Sequence, residues 1–425
     1  MAVKTDSTVD ELSNFTNSGV HRLDKSLNTI FVDPVRLLDR SYARFKLSPS
    51  MYYTRFFAEA RVCSNPRKRK RKRKLHCLNE REQSADRRHQ GVRDLLLRAH
   101  EGLLCDEDLL SGLRGLNKIG SCLMERKIEY DADIAVQDFV ELGRVWQAPL
   151  YEIALRCSRV SKDRSEEDTG SASMRYDEQE KVEKVVPLFN NLVVNDTSID
   201  VEAEFLNTLY VMPRNSCFYM SDLEQIHNLV PAEKEHGYNL IVIDPPWENG
   251  SARQKSAYPT LPNRYLLSIP IKQLTHTEGA LVALWVTNRE KLRVFVEKEL
   301  FPSWGVDFAT LLYWLKVKPD GSLVSELDLF HHRPYECLIL GYCHGEAERF
   351  FIPKPLEENQ VVVSIPGDYS RKPPIGKLLL EYAPGPKPAC CLELFARELM
   401  AGWTSWGNEP LHFQDSSYFV SKKQE

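Results

Sequence analysis

Asp244, Pro245, Pro246 and Trp247 follow directly on the apolar run Leu240-Ile241-Val242-Ile243. Neither proline has an amide hydrogen and each fixes φ, so the backbone after Asp244 is expected to be extended and rigid. Its carbonyls should point outward as acceptors with nothing internal to bond. A carboxylate beside a proline carbonyl can accept both hydrogens of an exocyclic amine on a nucleobase, and an indole next door offers a face for stacking. Such an amine is a poor nucleophile because its lone pair is delocalised into the ring. Two acceptors that draw its hydrogens out of the ring plane favour the pyramidal, nucleophilic form, a gain that belongs to the transition state. The same four residues also fit an ordinary turn, so their companions must decide.

A short run rich in β-branched residues, stopped by a turn signal, reads as a buried strand of a parallel sheet. In open α/β sheets ligands bind beyond the carboxyl ends of the strands, which puts Asp244 where a substrate arrives. The pattern continues with a strand over 280–286, a helix over 291–300, strands over 308–316 and 336–341, a helix over 374–382 and a strand over 389–395. Alternation of this kind predicts an α/β fold, a doubly wound Rossmann-like domain, here assigned to 185–425. Nothing matches Gly-x-Gly-x-x-Gly, which argues against nicotinamide or flavin.

The tetrad resembles the Asp/Asn-Pro-Pro-Trp/Tyr/Phe signature of amino-methyltransferases that use S-adenosylmethionine. The sequence from about Ser221 to Pro410, roughly half of the chain, resembles the eukaryotic adenosine N6-methyltransferase family. In that family the catalytic tetrad precedes the cofactor loop, a permuted motif order that this chain shares. The resemblance implies S-adenosylmethionine as cofactor and Asp244, Pro245, Pro246 and Trp247 as catalytic residues. It places Asp222, Leu223, Asp244, Lys372, Phe395, Arg397, Asn408 and Glu409 against the cofactor. It places Trp247, Tyr258, Trp314, Lys316, Glu336 and Lys372 against the substrate base.

Several of these positions carry a second reading. Asp222 also suits the N-cap of a helix over 223–229, Tyr258 the packing at the start of a helix over 263–267, and Trp314 the core. Lys372, a point charge, can meet a methionine carboxylate or a phosphate. One departure stands out: the family's Glu-Leu-Phe-Gly-Arg reads Glu-Leu-Phe-Ala-Arg here, and Ala396 tolerates positive φ poorly. The nearest likeness within the family implies RNA, with 2′-O-methyladenosine of small nuclear RNA as the favoured class and DNA adenine as runner-up. In either nucleic acid the base must be single-stranded, bulged or flipped to present its amine. A non-catalytic nucleic-acid-binding subunit and a partner-recruiting scaffold are the rival classes.

With 425 residues and 42% hydrophobic content, the chain can bury a sizeable core and hold more than one region. The formal net charge of −4 conceals segregation, because Arg67 to Lys74 are eight consecutive basic residues. A block this dense is expected to be disordered, within a basic segment over 61–91. It reads as a nuclear import signal, a phosphate contact or a solvated tail. Residues 1–60 are expected to be an appended, partly ordered segment. Leu95, Leu96, Ala99 and Leu103, then Phe139, Leu142, Val145 and Trp146, predict a helical region over 92–160. A charged, Ser-rich linker is expected over 161–184.

No apolar run reaches membrane-spanning length, no signal peptide is evident, and the ten cysteines form no C-x-x-C pair. A soluble protein of the nucleus, with the cytoplasm allowed, is therefore expected, with nucleic acid and the import machinery as partners. No metal is expected either: His331 and His332, as neighbours on an extended segment, would point in opposite directions.

Overall fold

The computed structural model describes residues 18–24, 28–54, 79–113, 138–145, 147–158, 181–248, 261–330, 332–347, 352–368 and 371–422. The basic run Arg67–Lys74, Tyr258, His331 and residues 161–180 of the expected linker lie outside them.

The strands run in chain order as β1 (Val20–Asp24), β2 (Thr29–Val32), β3 (Phe45–Leu47), β4 (Glu152–Ser158), β5 (Lys181–Pro187) and β6 (Leu192–Asn195). They continue as β7 (Val201–Phe205), β8 (Thr208–Met212), β9 (Ser216–Met220), β10 (Leu240–Ile243), β11 (Ala280–Val286) and β12 (Val306–Lys316). The last are β13 (Tyr335–Cys343), β14 (Gln360–Ser364), β15 (Cys391–Leu394), β16 (Trp403–Gly407) and β17 (Phe419–Ser421).

Eleven of them form one mixed sheet in the order β1-β2-β14-β12-β13-β11-β10-β15-β16-β9-β6. Its centre is parallel: β10 pairs in parallel with β11 on one side and β15 on the other, and β16 and β9 continue that direction. Because the chain leaves β10 toward β11 and later returns to its other flank as β15, the order reverses between β10 and β15. That reversal opens a crevice at the carboxyl edge.

Side chains along a strand alternate between faces, and the core divides accordingly. Leu240 and Val242 join one apolar cluster with Leu281, Ala283 and Trp285, while Ile241 and Ile243 join another with Val282, Leu284 and Val286. Both faces are covered, which is why these strands read as continuous apolar runs.

The N-terminal part departs from expectation in four places. The long helix Glu80–Cys105 starts inside the segment assigned as basic and disordered. Asn79 starts it with a capping box, its side chain accepting from the Glu82 amide while Glu82 accepts from the Asn79 amide. The helix buries Leu96, Ala99 and Leu103 on the main core.

Second, the region expected to be helical up to residue 160 ends in a strand, β4, where Ile153 and Leu155 are buried between Glu152 and Arg156 with the period of two that a half-buried strand requires. Third, the expected linker ends early, because β5 begins at Lys181. Strands β5, β4, β7 and β8 make a separate four-stranded sheet, so a boundary at 185 cuts through a paired strand.

Fourth, the appended segment is built into the fold. β2 extends the main sheet beside β14 in parallel, and β3 pairs with β17 antiparallel. A fifth difference concerns length: the helix expected over 374–382 is only Gly376–Leu379 followed by a 3-10 turn over Leu380–Tyr382. Among the described residues no helix is long and apolar enough to cross a membrane.

Candidate active site

Four neighbouring strands, β10, β15, β16 and β9, end side by side, and each delivers residues singled out in the sequence. Asp244 follows β10 and its amide donates to the Leu394 carbonyl at the end of β15 (3.3 Å). Phe395 and Arg397 follow β15, Asn408 and Glu409 follow β16, and Asp222 and Leu223 follow β9. Ser221 ties the last two ends together, its amide donating to the Gly407 carbonyl at 3.0 Å.

Asp244 is gripped by Lys372, whose ammonium lies 3.0 Å from Oδ1 and 3.1 Å from Oδ2. The same ammonium reaches Glu336 Oε2 at 3.4 Å, and Glu336 is paired in turn with Lys316. Asp244, Lys372, Glu336 and Lys316 thus form a row of alternating charge, every side chain less than a quarter exposed. Burial alone would raise the Glu336 carboxyl, but Lys316 and Lys372 outweigh it and hold it down to about 2. Burial likewise pulls Lys372 down, and Asp244 and Glu336 outweigh it and hold the ammonium above its ordinary value.

The Glu336 shift carries a stability prediction. A carboxyl depressed in the fold contributes stability that is present above its unfolded value near 4.5 and lost as pH falls toward about 2. A Glu336→Gln variant should therefore be less stable than the wild type at pH 7, by about 3 kcal/mol. The gap should close between pH 4.5 and 2 in denaturant titrations; a gap that stays constant over that window would contradict the charge row.

The tetrad itself corrects two expectations. Its carbonyls are not without internal partners: Pro245 accepts from the Trp247 amide at 2.8 Å and Pro246 from the Leu261 amide at 2.9 Å. A carbonyl oxygen has two lone pairs, so the Pro245 oxygen keeps one acceptor position. Trp247 offers no open stacking face, being only 6% exposed, with its indole N–H donating to the Trp285 carbonyl at 2.8 Å. It locks the wall that holds Asp244 in place.

Trp314 is likewise a core residue and not a base-stacking one. It is fully buried, donates to Ser364 Oγ at 2.7 Å and meets Trp285 edge to face. Lys316 Nζ sits 4.4 Å from its ring centre, so Trp314 supports the charge row from beneath. Asp222 does cap the 3-10 helix Leu223–Leu229, its Oδ1 accepting from the Glu224 and Gln225 amides. Glu409 lies 3.2 Å from His412 Nδ1.

The doubt raised by Ala396 is resolved by a shift of one position. Phe395, not Ala396, takes the left-handed conformation, with φ of 62°. Ala396 is buried and its amide donates to the Trp406 carbonyl at 2.8 Å. A non-glycine residue held at positive φ stores strain, and here it sits beside the pocket behind Asp244.

That pocket is lined by Asp244, Lys372, Glu393, Phe395 and Arg397, with Arg371 at its back. Asp222, Leu223, Asn408 and Glu409 stand on the adjacent strand ends and do not line it. Its supporting structure was not anticipated. Arg371 is 3% exposed, is paired with Glu398, and holds its guanidinium carbon 4.4 Å from the ring centre of Tyr52 and 4.3 Å from that of Phe413. Burial works against the guanidinium charge, and Glu398 foremost restores it. The signal for Arg371 was its place beside Lys372; nothing in the sequence pointed to Tyr52.

Glu393 was also passed over, although a lone carboxylate inside Cys391-Leu392-Glu393-Leu394 is itself a signal. No group of three or more ligating side chains that could hold a metal occurs among the described residues.

A parallel-centred sheet with a carboxylate at its switch point, beside a pocket of mixed charge, is the arrangement of a Rossmann-like ligand-binding domain. Residues 238–409 match the MT-A70 family model. It is 37% identical over 242 residues to mouse N(6)-adenine-specific methyltransferase METTL4, covering 55% of this chain and 50% of that one. It is 33% identical over 220 residues to N6-methyladenosine RNA methyltransferase MTA1 of Pyricularia oryzae, covering 50% and 57%. A Caenorhabditis elegans DNA N6-methyl methyltransferase is also 33% identical over 220 residues, covering 50% and 56%. The chain spans about half the length of the curated relatives it matches.

Proposed function

We propose that this chain is an S-adenosylmethionine-dependent adenine N6-methyltransferase acting on nucleic acid, with RNA as the first substrate class. The observation that carries the reading is that Asp244, the residue followed directly by Pro245 and Pro246, lines a pocket together with Lys372, Glu393, Phe395 and Arg397.

The pocket fits the cofactor on the chemistry of its groups. Lys372 and Arg397 suit a carboxylate, the Phe395 ring suits an apolar or aromatic portion, and one oxygen of Glu393 is buried without a hydrogen bond. When bound, the cofactor supplies an electrophilic methyl group on a sulfonium. The rest of the work belongs to the chain. Asp244 and the Pro245 carbonyl accept the two amine hydrogens and localise the lone pair on nitrogen. Lys372 and the charge row behind it fix the carboxylate so that no reorganisation is needed during transfer. Trp247 and Trp285 wall the site off from water. Asp244 is also the acceptor next to the proton that the methylated amine must lose.

RNA carrying 2′-O-methyladenosine, as in small nuclear RNA, is the favoured substrate, and the name of the mouse relative is neutral between RNA and DNA. The DNA reading is favoured by the Caenorhabditis elegans relative, whose name specifies DNA. The basic run Arg67–Lys74 supports nuclear import and a nuclear site of action.

Transfer from labelled S-adenosylmethionine to matched RNA and DNA oligonucleotides, followed by nucleoside analysis, tests the reading. N6-methylation of 2′-O-methyladenosine in RNA is the expected product. N6-methyladenine in DNA alone would replace the substrate class. Cofactor binding without product on any strand would leave a binding subunit in place of an enzyme.

A further inference from the structure

Glu393 lies on β15 in direct register with Val242 of β10 and Ser405 of β16, so the three side chains share one face of the sheet. That face is the floor of the pocket, which Val242 and Glu393 line together with Asp244. Two polar atoms here have no hydrogen-bond partner although buried: Glu393 Oε2 and Ser405 Oγ. Glu393 is half-buried as a residue, but buried carboxylate oxygens are almost always paired, and an unpartnered one on a pocket floor suits a ligand group that donates or carries positive charge. The surroundings select between these. Glu398 and Asp244 act on Glu393 with negative charge although each is paired with a cation of its own, Arg371 and Lys372, and Arg397 and Arg371 work against them.

We propose that Glu393 receives a cationic group of the cofactor, its sulfonium or its α-ammonium, and gives up a proton to the solvent as that group binds. This rests on the proposed use of S-adenosylmethionine and adds a residue and a proton linkage to it. Burial, reinforced by Glu398 and Asp244, pushes the empty-pocket carboxyl up to about 8, so near neutrality the free protein holds Glu393 mostly as the neutral acid. A cation arriving beside it favours the carboxylate, and the O–H proton leaves to buffer. The sign follows: affinity rises with pH up to the free-state value, roughly tenfold per pH unit at most, and above it levels for a sulfonium but falls for an ammonium as the cofactor's own amine loses its proton.

Titration calorimetry on the full chain tests this without turnover. With S-adenosylmethionine at pH 7, runs in two buffers of different ionisation enthalpy should show release approaching one proton per cofactor bound. The cofactor's own amine, with an ordinary value of about 8, is mostly charged when free at that pH and adds at most a small uptake, which the Glu393→Gln variant reads alone. Glu393→Gln should still bind, more weakly at pH 8.5, with the release gone and the pH slope between 6.5 and 8.5 flattened.

S-adenosylhomocysteine separates the two cations. Proton release with both ligands assigns the ammonium, and release with S-adenosylmethionine alone assigns the sulfonium. No proton release from the wild type, or an unchanged release in Glu393→Gln, overturns the assignment. Failure of the wild type to bind the cofactor at all would instead overturn the functional reading beneath it. The variant is expected to fold, because it replaces an uncompensated acid with a neutral group of the same shape, and its melting temperature at pH 8.5 should exceed that of the wild type.

Discussion

Asp244→Asn lowers methyl transfer at least about a hundredfold to a thousandfold while leaving the fold and most of the cofactor affinity intact. The magnitude follows from the loss of one preorganised acceptor at the reacting atom. An amide in place of the carboxylate keeps the volume but presents an N–H₂ group toward the substrate amine on one of its two faces, and it removes the anion that pairs with Lys372. Lys372 keeps Glu336 as a partner, so the segment beyond it should not unravel. The measurement is kcat and KM for both substrates beside a thermal melt. Full activity in the variant would remove Asp244 from the chemistry and with it the orientation of the amine.

The second large effect is expected at Arg371. Arg371→Ala strips the partner from Glu398 and leaves a void between two rings, and breaking a buried ion pair in this way costs about 3–5 kcal/mol. Stability loss alone would not show that the residue shapes the pocket. Arg371→Met with Glu398→Leu separates the two roles, since replacing a buried pair with packed apolar groups is often neutral for stability. The double variant should melt near the wild type and yet show a raised KM for S-adenosylmethionine, because Lys372 loses the rigid neighbour that aims it. Tyr52→Phe, by contrast, should be silent: the Tyr52 hydroxyl is buried without a hydrogen bond, and only the ring meets Arg371. A wild-type KM in the folded double variant would reduce the stack to core packing.

The difference between what was legible in the sequence and what was not follows physical range. Asp244 was legible because burial on both faces makes β10 an uninterrupted apolar run and two prolines mark its end. The strand over 280–286 was legible for the same reason. Depth within the sheet was not: Trp314, flanked by Tyr313 and Leu315, lies on a strand whose residues point alternately into two covered faces, so periodicity could not say whether its ring met solvent or core. Trp247 was misjudged for a related reason, because a turn residue gives no hint that a neighbouring strand's carbonyl will capture its N–H. Strand β4 was missed because a four-stranded sheet closed by contacts with residues 201–212 has no local signature beyond one short alternation. The Tyr52–Arg371–Phe413 stack was illegible in principle, since it joins residues more than three hundred positions apart.

That stack also bears on how the protein comes into being. Tyr52 leaves the ribosome early, Arg371 late and Phe413 later still, and the pairing of β3 with β17 waits for residues 419–421. A nascent chain that already displays the tetrad therefore lacks most of the residues that line the pocket, which lie between 371 and 413, until synthesis has almost run its course. Incomplete translation products would carry Asp244 without the pocket beside it, so on the proposed function prematurely terminated chains are expected to be inactive.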